Sequence, residues 1–164
     1  DNFAVAPVLV DLNRLTADTA GLRDEIRQKV GWAREEGRTA VIYTSRAERL
    51  FDTKAERLAF GDRVSDFLMD IVRKLPSDIG FLISKGGITS NDVLSDGLAL
   101  RTSRVVGQIL AGCSVVRCPE DHPRYPNLPV VIFPGNVGDE HALALVYQRL
   151  ALPADDRLGK QKLG

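Results

Sequence analysis

Twice along this chain a strand-like apolar run ends in a glycine-rich turn and continues as a helix-like segment. The turns are Lys85-Gly86-Gly87-Ile88-Thr89-Ser90 and Phe133-Pro134-Gly135-Asn136-Val137-Gly138. A strand that stops at glycine lets a ligand approach the backbone closely. The helix that opens next presents unpaired N–H groups and a positive dipole end to an anion. In a parallel sheet both turns lie at the carboxyl ends of the strands, where open α/β folds bind their ligands. The pair therefore points to a phosphate-handling site on an α/β scaffold.

The rest of the pattern agrees with such a scaffold. Ala6 to Leu12 reads as a buried strand, and Leu22, Ile26, Val30 and Ala33 recur at helical spacing after a Thr16 or Asp18 cap, with Gly37 placed to close that helix. Thr39 to Thr44 is a second strand, and a longer helix runs from Lys54 to Leu75 with Leu58, Val64, Phe67, Leu68, Ile71, Val72 and Leu75 as its stripe. Asp78 to Ser84 delivers the chain into the first glycine turn. Beyond it, Thr89-x-x-Asp92 has the form of a capping box. Val105 to Leu110 and Ser114 to Val116 are short strands at one end of the sheet, separated by Ala111-Gly112. The stretch from Pro119 to Asn127 is a loop, Pro129 to Phe133 a last buried strand, and Gly138 to Leu150 a last helix. Alternating strands and helices predict a three-layer αβα domain with a mostly parallel, Rossmann-like sheet over residues 1–152, followed by a polar tail over 153–164.

Composition removes several function classes. The 22 basic and 22 acidic residues cancel and are interspersed, which leaves no field to gather nucleic acid or an anionic membrane. No apolar run approaches the roughly 20 residues that span a bilayer, and the first residues lack the zones of a secretion signal, so a cytoplasmic location is expected. Cys113 and Cys118, five apart in a β-type run, put their side chains on opposite faces and read as two structural thiols. His122 and His141 have no partner at ligand spacing, and no metal is assigned to protein ligands alone.

Three blocks carry a family resemblance: Ser84-Lys85-Gly86-Gly87-Ile88-Thr89-Ser90-Asn91-Asp92-Val93, Val106-Gly107-Gln108-Ile109-Leu110-Ala111-Gly112 and Phe133-Pro134-Gly135-Asn136-Val137-Gly138-Asp139. In wording, order and spacing the stretch from Phe81 to Leu150 resembles the carboxy-terminal nucleotide-binding domain of the four-carbon acid sugar kinases. The resemblance implies transfer of the γ-phosphoryl group of ATP, with Mg2+, to a hydroxyl of a threonate- or erythronate-type acid. It also implies an amino-terminal sugar-binding domain of the same enzyme as partner. That domain's Asp-Asp-x-Thr-Gly-type motif is missing, since Asp155-Asp156 is followed by Arg157-Leu158-Gly159, and the start at Asp1 without methionine fits a fragment.

Phosphoryl transfer asks a protein mainly to position phosphates and neutralise their charge. The expected phosphate cradle is Gly86, Gly87, Ile88 and Thr89, with Ser90 as a further hydroxyl at the helix mouth, and Gly135, Asn136 and Gly138 shape the other wall. Lys85 reads equally as a phosphate contact or a surface lysine, Asn136 as a ligand contact or a cap of its own turn. Asp92 is a capping carboxylate or a water-mediated magnesium contact and stays outside the site set. Asp139 and Glu140 suit a helix's first turn whatever the function, and Gly107-Gln108 marks a strand that another backbone approaches closely. Neither the Walker pattern nor G-x-G-x-x-G occurs, and no residue is assigned as catalytic base. The rival reading is a non-catalytic module that senses a nucleotide or small anion with the same turns.

Overall fold

Strand β1, Val5–Val10, opens the first of two units into which the chain divides, Asp1–Pro76 and Ser77–Gly164. The computed structural model describes residues 4–46 and 50–151, so the polar tail expected over 153–164 lies outside the described residues.

In the first unit β1 is followed by the single turn α1, Arg14–Ala17, the helix α2, Thr19–Glu35, the strand β2, Thr39–Thr44, and the helix α3, Lys54–Arg73. β1 and β2 pair in parallel, Val5 opposite Thr39 through Val10 opposite Thr44. Ala6, Val8 and Val10 are buried while Pro7 and Leu9 are exposed, so β1 alternates where a fully buried run was expected. The predicted stripe of α2 holds in full: Leu22, Ile26, Val30 and Ala33 are all buried. Burial of a large aliphatic side chain contributes roughly 1.5–3 kcal/mol. The helix starts on Asp18, whose side chain accepts from Gly21 N–H, and stops at Gly37. There φ is +64°, Arg38 N–H reaches Ala33 O at 2.8 Å and Gly37 N–H reaches Arg34 O at 3.0 Å. These two bonds satisfy carbonyls that the helix leaves open. α3 begins with a full capping box, Thr53 Oγ1 accepting from Glu56 N–H and the Glu56 carboxylate from Thr53 N–H. It buries Phe67, Met69, Ile71 and Val72, whereas Leu58 of the expected stripe is exposed.

The second unit contains β3, Leu82–Lys85, α4, Gly87–Asp92, a π-helical turn over Val93–Gly97, β4, Arg104–Leu110, β5, Cys113–Arg117, β6, Pro129–Phe133, and α5, Ala142–Ala151. Its four strands lie in the order β3-β6-β5-β4. The expected parallel direction holds for β3 and β6 but not for the pairs β6–β5 and β5–β4, which are antiparallel. For β4 and β5 the cause is local: only Ala111 and Gly112 join them, and so short a link closes an antiparallel pair, never a parallel one. The protein is thus α/β, with one sheet in each unit, and the β4–β5 hairpin stands at the sheet end where the sequence put it. α5 packs Ala142 and Val146 on Cys113, Val131 and Phe133 of one sheet face. Val116 and Val130, paired on the opposite face, are equally buried. Both cysteines are free and buried, and burial pushes their thiols up in pKa, which keeps them protonated and inert.

Candidate functional site at the ends of β3 and β6

β3 and β6 are neighbours, parallel and in register to their last residues, Lys85 opposite Phe133. Both glycine turns therefore leave from one edge of the sheet, side by side. Gly86 N–H donates to Phe133 O at 2.8 Å and so ties the start of the first turn to the start of the second.

Gly86 has φ +106°, a conformation that L side chains avoid, and it takes the N-cap place of α4 without offering a side-chain cap. The first helical bond is Ser90 N–H to Gly86 O at 2.9 Å. The N–H groups of Gly87, Ile88 and Thr89 precede it and have no acceptor inside the helix. Gly87 and Ile88 are exposed, Ile88 to 83% despite its apolar side chain, and Thr89 is half-buried with its hydroxyl folded back toward Gly86. Two expectations need correction here. The capping box expected at Thr89 and Asp92 does not form: the N-cap is Gly86, three residues before Thr89, where the sheet bond to Phe133 O turns the chain. Ser90, expected as a donor at the helix mouth, is buried, and its Oγ donates to Ser84 O at 3.0 Å. It fastens α4 to β3.

In the second turn Gly135 and Asn136 are exposed, and no hydrogen bond engages the Asn136 side chain, so the capping alternative for that residue is not realised. Gly138 has φ +74°, and a Cβ there would lie 2.3 Å from the Ala142 Cβ. The loop can pass α5 only as glycine. Asp139 serves the helix start, its carboxylate accepting from His141 N–H at 2.9 Å, as the structural reading of that residue predicts. Lys85 is exposed, with its ammonium 5.8 Å from the centre of the Phe133 ring, which holds it over the end of β6.

The glycines thus fall into two kinds. Gly86 and Gly138 are required by their own backbone angle. Gly87 and Gly135 are not: neither has a positive φ, and a Cβ on either would meet nothing within 4 Å. Open space over the backbone at one glycine in each turn is what a ligand resting on both turns requires. The turns form an open edge, not a closed cavity.

Two supports were not read from the sequence as such. The β4–β5 hairpin braces the second turn: a Cβ on Gly112, at φ +79°, would stand 3.2 Å from the Val137 side chain, and Gln108 Oε1 accepts from Gly112 N–H at 3.4 Å. That contact accounts for Gly112 alone: a Cβ on Gly107, at φ +150°, would meet nothing within 4 Å, so the close backbone approach expected at Gly107-Gln108 is not found, and Gly107 stands instead at an irregularity of the β4–β5 pairing. His122 Nδ1 accepts from Tyr125 N–H at 2.9 Å and Arg124 N–H at 3.2 Å, which leaves Nε2–H to donate to Leu98 O at 2.8 Å. This histidine pins the 119–128 loop to the residue after the π-helical turn. No sequence signal separated it from a surface histidine.

A family model described as a nucleotide-binding C-terminal domain matches residues 2–143. Among curated proteins none matches the chain. A solved structure of a domain of unknown function (DUF1537) from Bordetella bronchiseptica, a domain-swapped dimer with bound citrate, is similar over 90% of this chain, with a TM-score of 0.63 and 19% identity. A second crystal form of that protein gives 0.57 at the same identity. The chain spans 35% of the first of these structures and 33% of the second. At that identity the likeness concerns the fold.

Proposed function

The chain belongs to the nucleotide-binding C-terminal domain family, and on that premise we propose that it is the ATP-binding part of a kinase that phosphorylates a four-carbon sugar acid of the threonate or erythronate type. The observation that carries the reading is the pair of glycine turns leaving adjacent parallel strands, each with a glycine that its own backbone does not require. In this reading the N–H groups of Gly87, Ile88 and Thr89, entered through Gly86, cradle phosphate oxygens, and Gly135, Asn136 and Gly138 form the facing wall. Backbone donors aimed at a developing charge are the protein's main contribution to phosphoryl transfer.

Mg2+ accompanies ATP in this chemistry and neutralises charge on the phosphates. In this reading the ion is held by phosphate oxygens and water, with at most one or two carboxylates. The sugar acid and the base that deprotonates its hydroxyl belong to an amino-terminal domain of the same enzyme. Among the described residues no helix is long and apolar enough to cross a membrane, in keeping with a cytoplasmic enzyme.

The test is coupled ADP release with a panel of four-carbon sugar acids, run on this chain alone and with the amino-terminal domain joined to it. Orientation of two reactants contributes roughly 7–11 kcal/mol to such a reaction, and a part that holds only the nucleotide lacks that contribution. The chain alone is expected to be inert and the joined protein active. Rapid sugar-acid-dependent turnover by the chain alone, or a joined protein inert to the whole panel, contradicts the proposal.

A further inference from the structure

In the first unit, positive charge is concentrated in the seam between α2 and α3. Asp70 of α3 faces three cations: Arg23 Nε lies 2.6 Å and Arg27 Nη2 3.8 Å from its Oδ2, and Lys74 Nζ lies 3.6 Å from its Oδ1. Asp24 relieves only Arg27, at 3.6 Å and from an exposed position. The close contact is one of charge and not of alignment, because Arg23 Nε and Asp70 Oδ2 are both buried and neither makes a hydrogen bond. Arg27 Nε and Nη2 are buried and make no hydrogen bond either, although Nη2 shares the charge of Asp70. Three cations stand against two carboxylates, one of them the exposed Asp24, and buried guanidinium N–H groups lack acceptors, so the group this seam lacks is negative and rich in acceptors.

Beside the seam a cleft of about 270 Å³ opens between α1, the start of α2 and α3. Its floor is apolar, formed by the buried Leu15 and Phe67, and its walls carry Arg23 and Arg63. Arg63 is exposed and pairs with no acidic residue among the described residues. Thr16 and Thr19 line the cleft with their protons already given to Asn13 O and Leu15 O, so their oxygens act there as acceptors. Asp66 adds a carboxylate. Two guanidiniums beside acceptors fit an anion that still carries a proton.

We propose that this cleft is a binding site for inorganic phosphate. The two arginines take its charged oxygens, and the P–OH of monohydrogen phosphate donates to Asp66 or to a threonine oxygen. At roughly 30 Å³ per water the volume admits the ion with several waters. Sulfate has the same shape and charge but no proton at neutral pH, and a phosphate ester is largely deprotonated there, so both are disfavoured by the carboxylate. The cleft belongs to the first unit and the glycine turns to the second.

The test is an NMR titration of the chain with inorganic phosphate at constant ionic strength, with parallel arms of sulfate and glycerol phosphate. The expected result is saturable shifts at residues 15–23 and 63–67, with sulfate and the ester at least tenfold weaker. Arg63→Gln should weaken phosphate tenfold or more, and Asp66→Asn should bring sulfate level with phosphate. Both side chains are exposed, so both variants are expected to fold. Sulfate binding as tightly as phosphate to the parent, an unchanged affinity in Arg63→Gln, or shifts confined to the glycine turns would overturn the proposal.

Discussion

The two long helices of the first unit and the short α4 of the second begin differently. In the first, α2 and α3 start on side-chain caps, Asp18 and the Thr53–Glu56 box, which satisfy part of the N–H set that every helix leaves open. In the second, α4 starts on Gly86, with no side-chain cap and a first turn that is largely exposed. The capped starts are closed by side chains; the glycine start leaves its first N–H groups without a side-chain cap. The contrast separates residues that stabilise the fold from residues that keep a surface open, and substitution can tell the two apart.

The largest effect on stability is expected at Gly86. Alanine at φ +106° strains the backbone by about 1–3 kcal/mol, and the Gly86→Ala variant should show a lowered denaturation midpoint in urea with the slope unchanged. A variant as stable as the parent would mean that the turn relaxes freely and that the glycine start is not fixed. Thr53→Ala comes next, at about 1 kcal/mol for loss of a cap, with ATP binding untouched. A change in nucleotide affinity there would break the division between scaffold and open surface. Gly87→Ala should go the other way: with ordinary φ and open space above it, alanine is expected to stabilise by about 0.4–1 kcal/mol through the unfolded chain.

The smallest effect concerns Glu25, whose carboxyl is held down to about 2 from 4.5 by its hydrogen bond with Lys29 and then by that with Arg14. Because the folded value is depressed, the stability it contributes is present above pH 4.5 and is lost as pH falls toward 2. Carboxyl NMR should find Glu25 titrating near 2, and parent and Glu25→Gln should converge in stability below that pH. A titration near 4.5 would show that these exposed pairs do not persist in solution.

Much of this was legible in the chain. β2 and β6 have the predicted bounds, because β-branched runs flanked by breakers leave little choice. The α2 stripe and its Gly37 stop follow from period and from glycine's access to positive φ. Local preference puts the start of α4 at Thr89, because hydroxyl residues are the usual caps. The actual start is imposed across the sheet by Phe133 O, a partner 47 positions away that local preference does not reveal. Ser90 departs from its expected place at the helix mouth for a related reason: its hydroxyl turns inward to Ser84 O, a contact that exists only once β3 and α4 are packed. The site glycines were found as one group. Their division into glycines required by their own backbone angle and glycines with open space above them rests on the dihedral angles and the surroundings of each Cα.

The most direct test of the central claim, that the two glycine turns together hold the nucleotide, is titration of the chain with ATP and Mg2+, followed by calorimetry and by residue-resolved NMR, in parallel with Gly87→Val. The account predicts weak, saturable binding, shifts at both Gly86–Thr89 and Gly135–Gly138, and at least a tenfold loss, about 1.4 kcal/mol, in a Gly87→Val variant that remains folded. A folded parent that gives no heat at millimolar ATP, or a folded Gly87→Val that binds as the parent does, would contradict it.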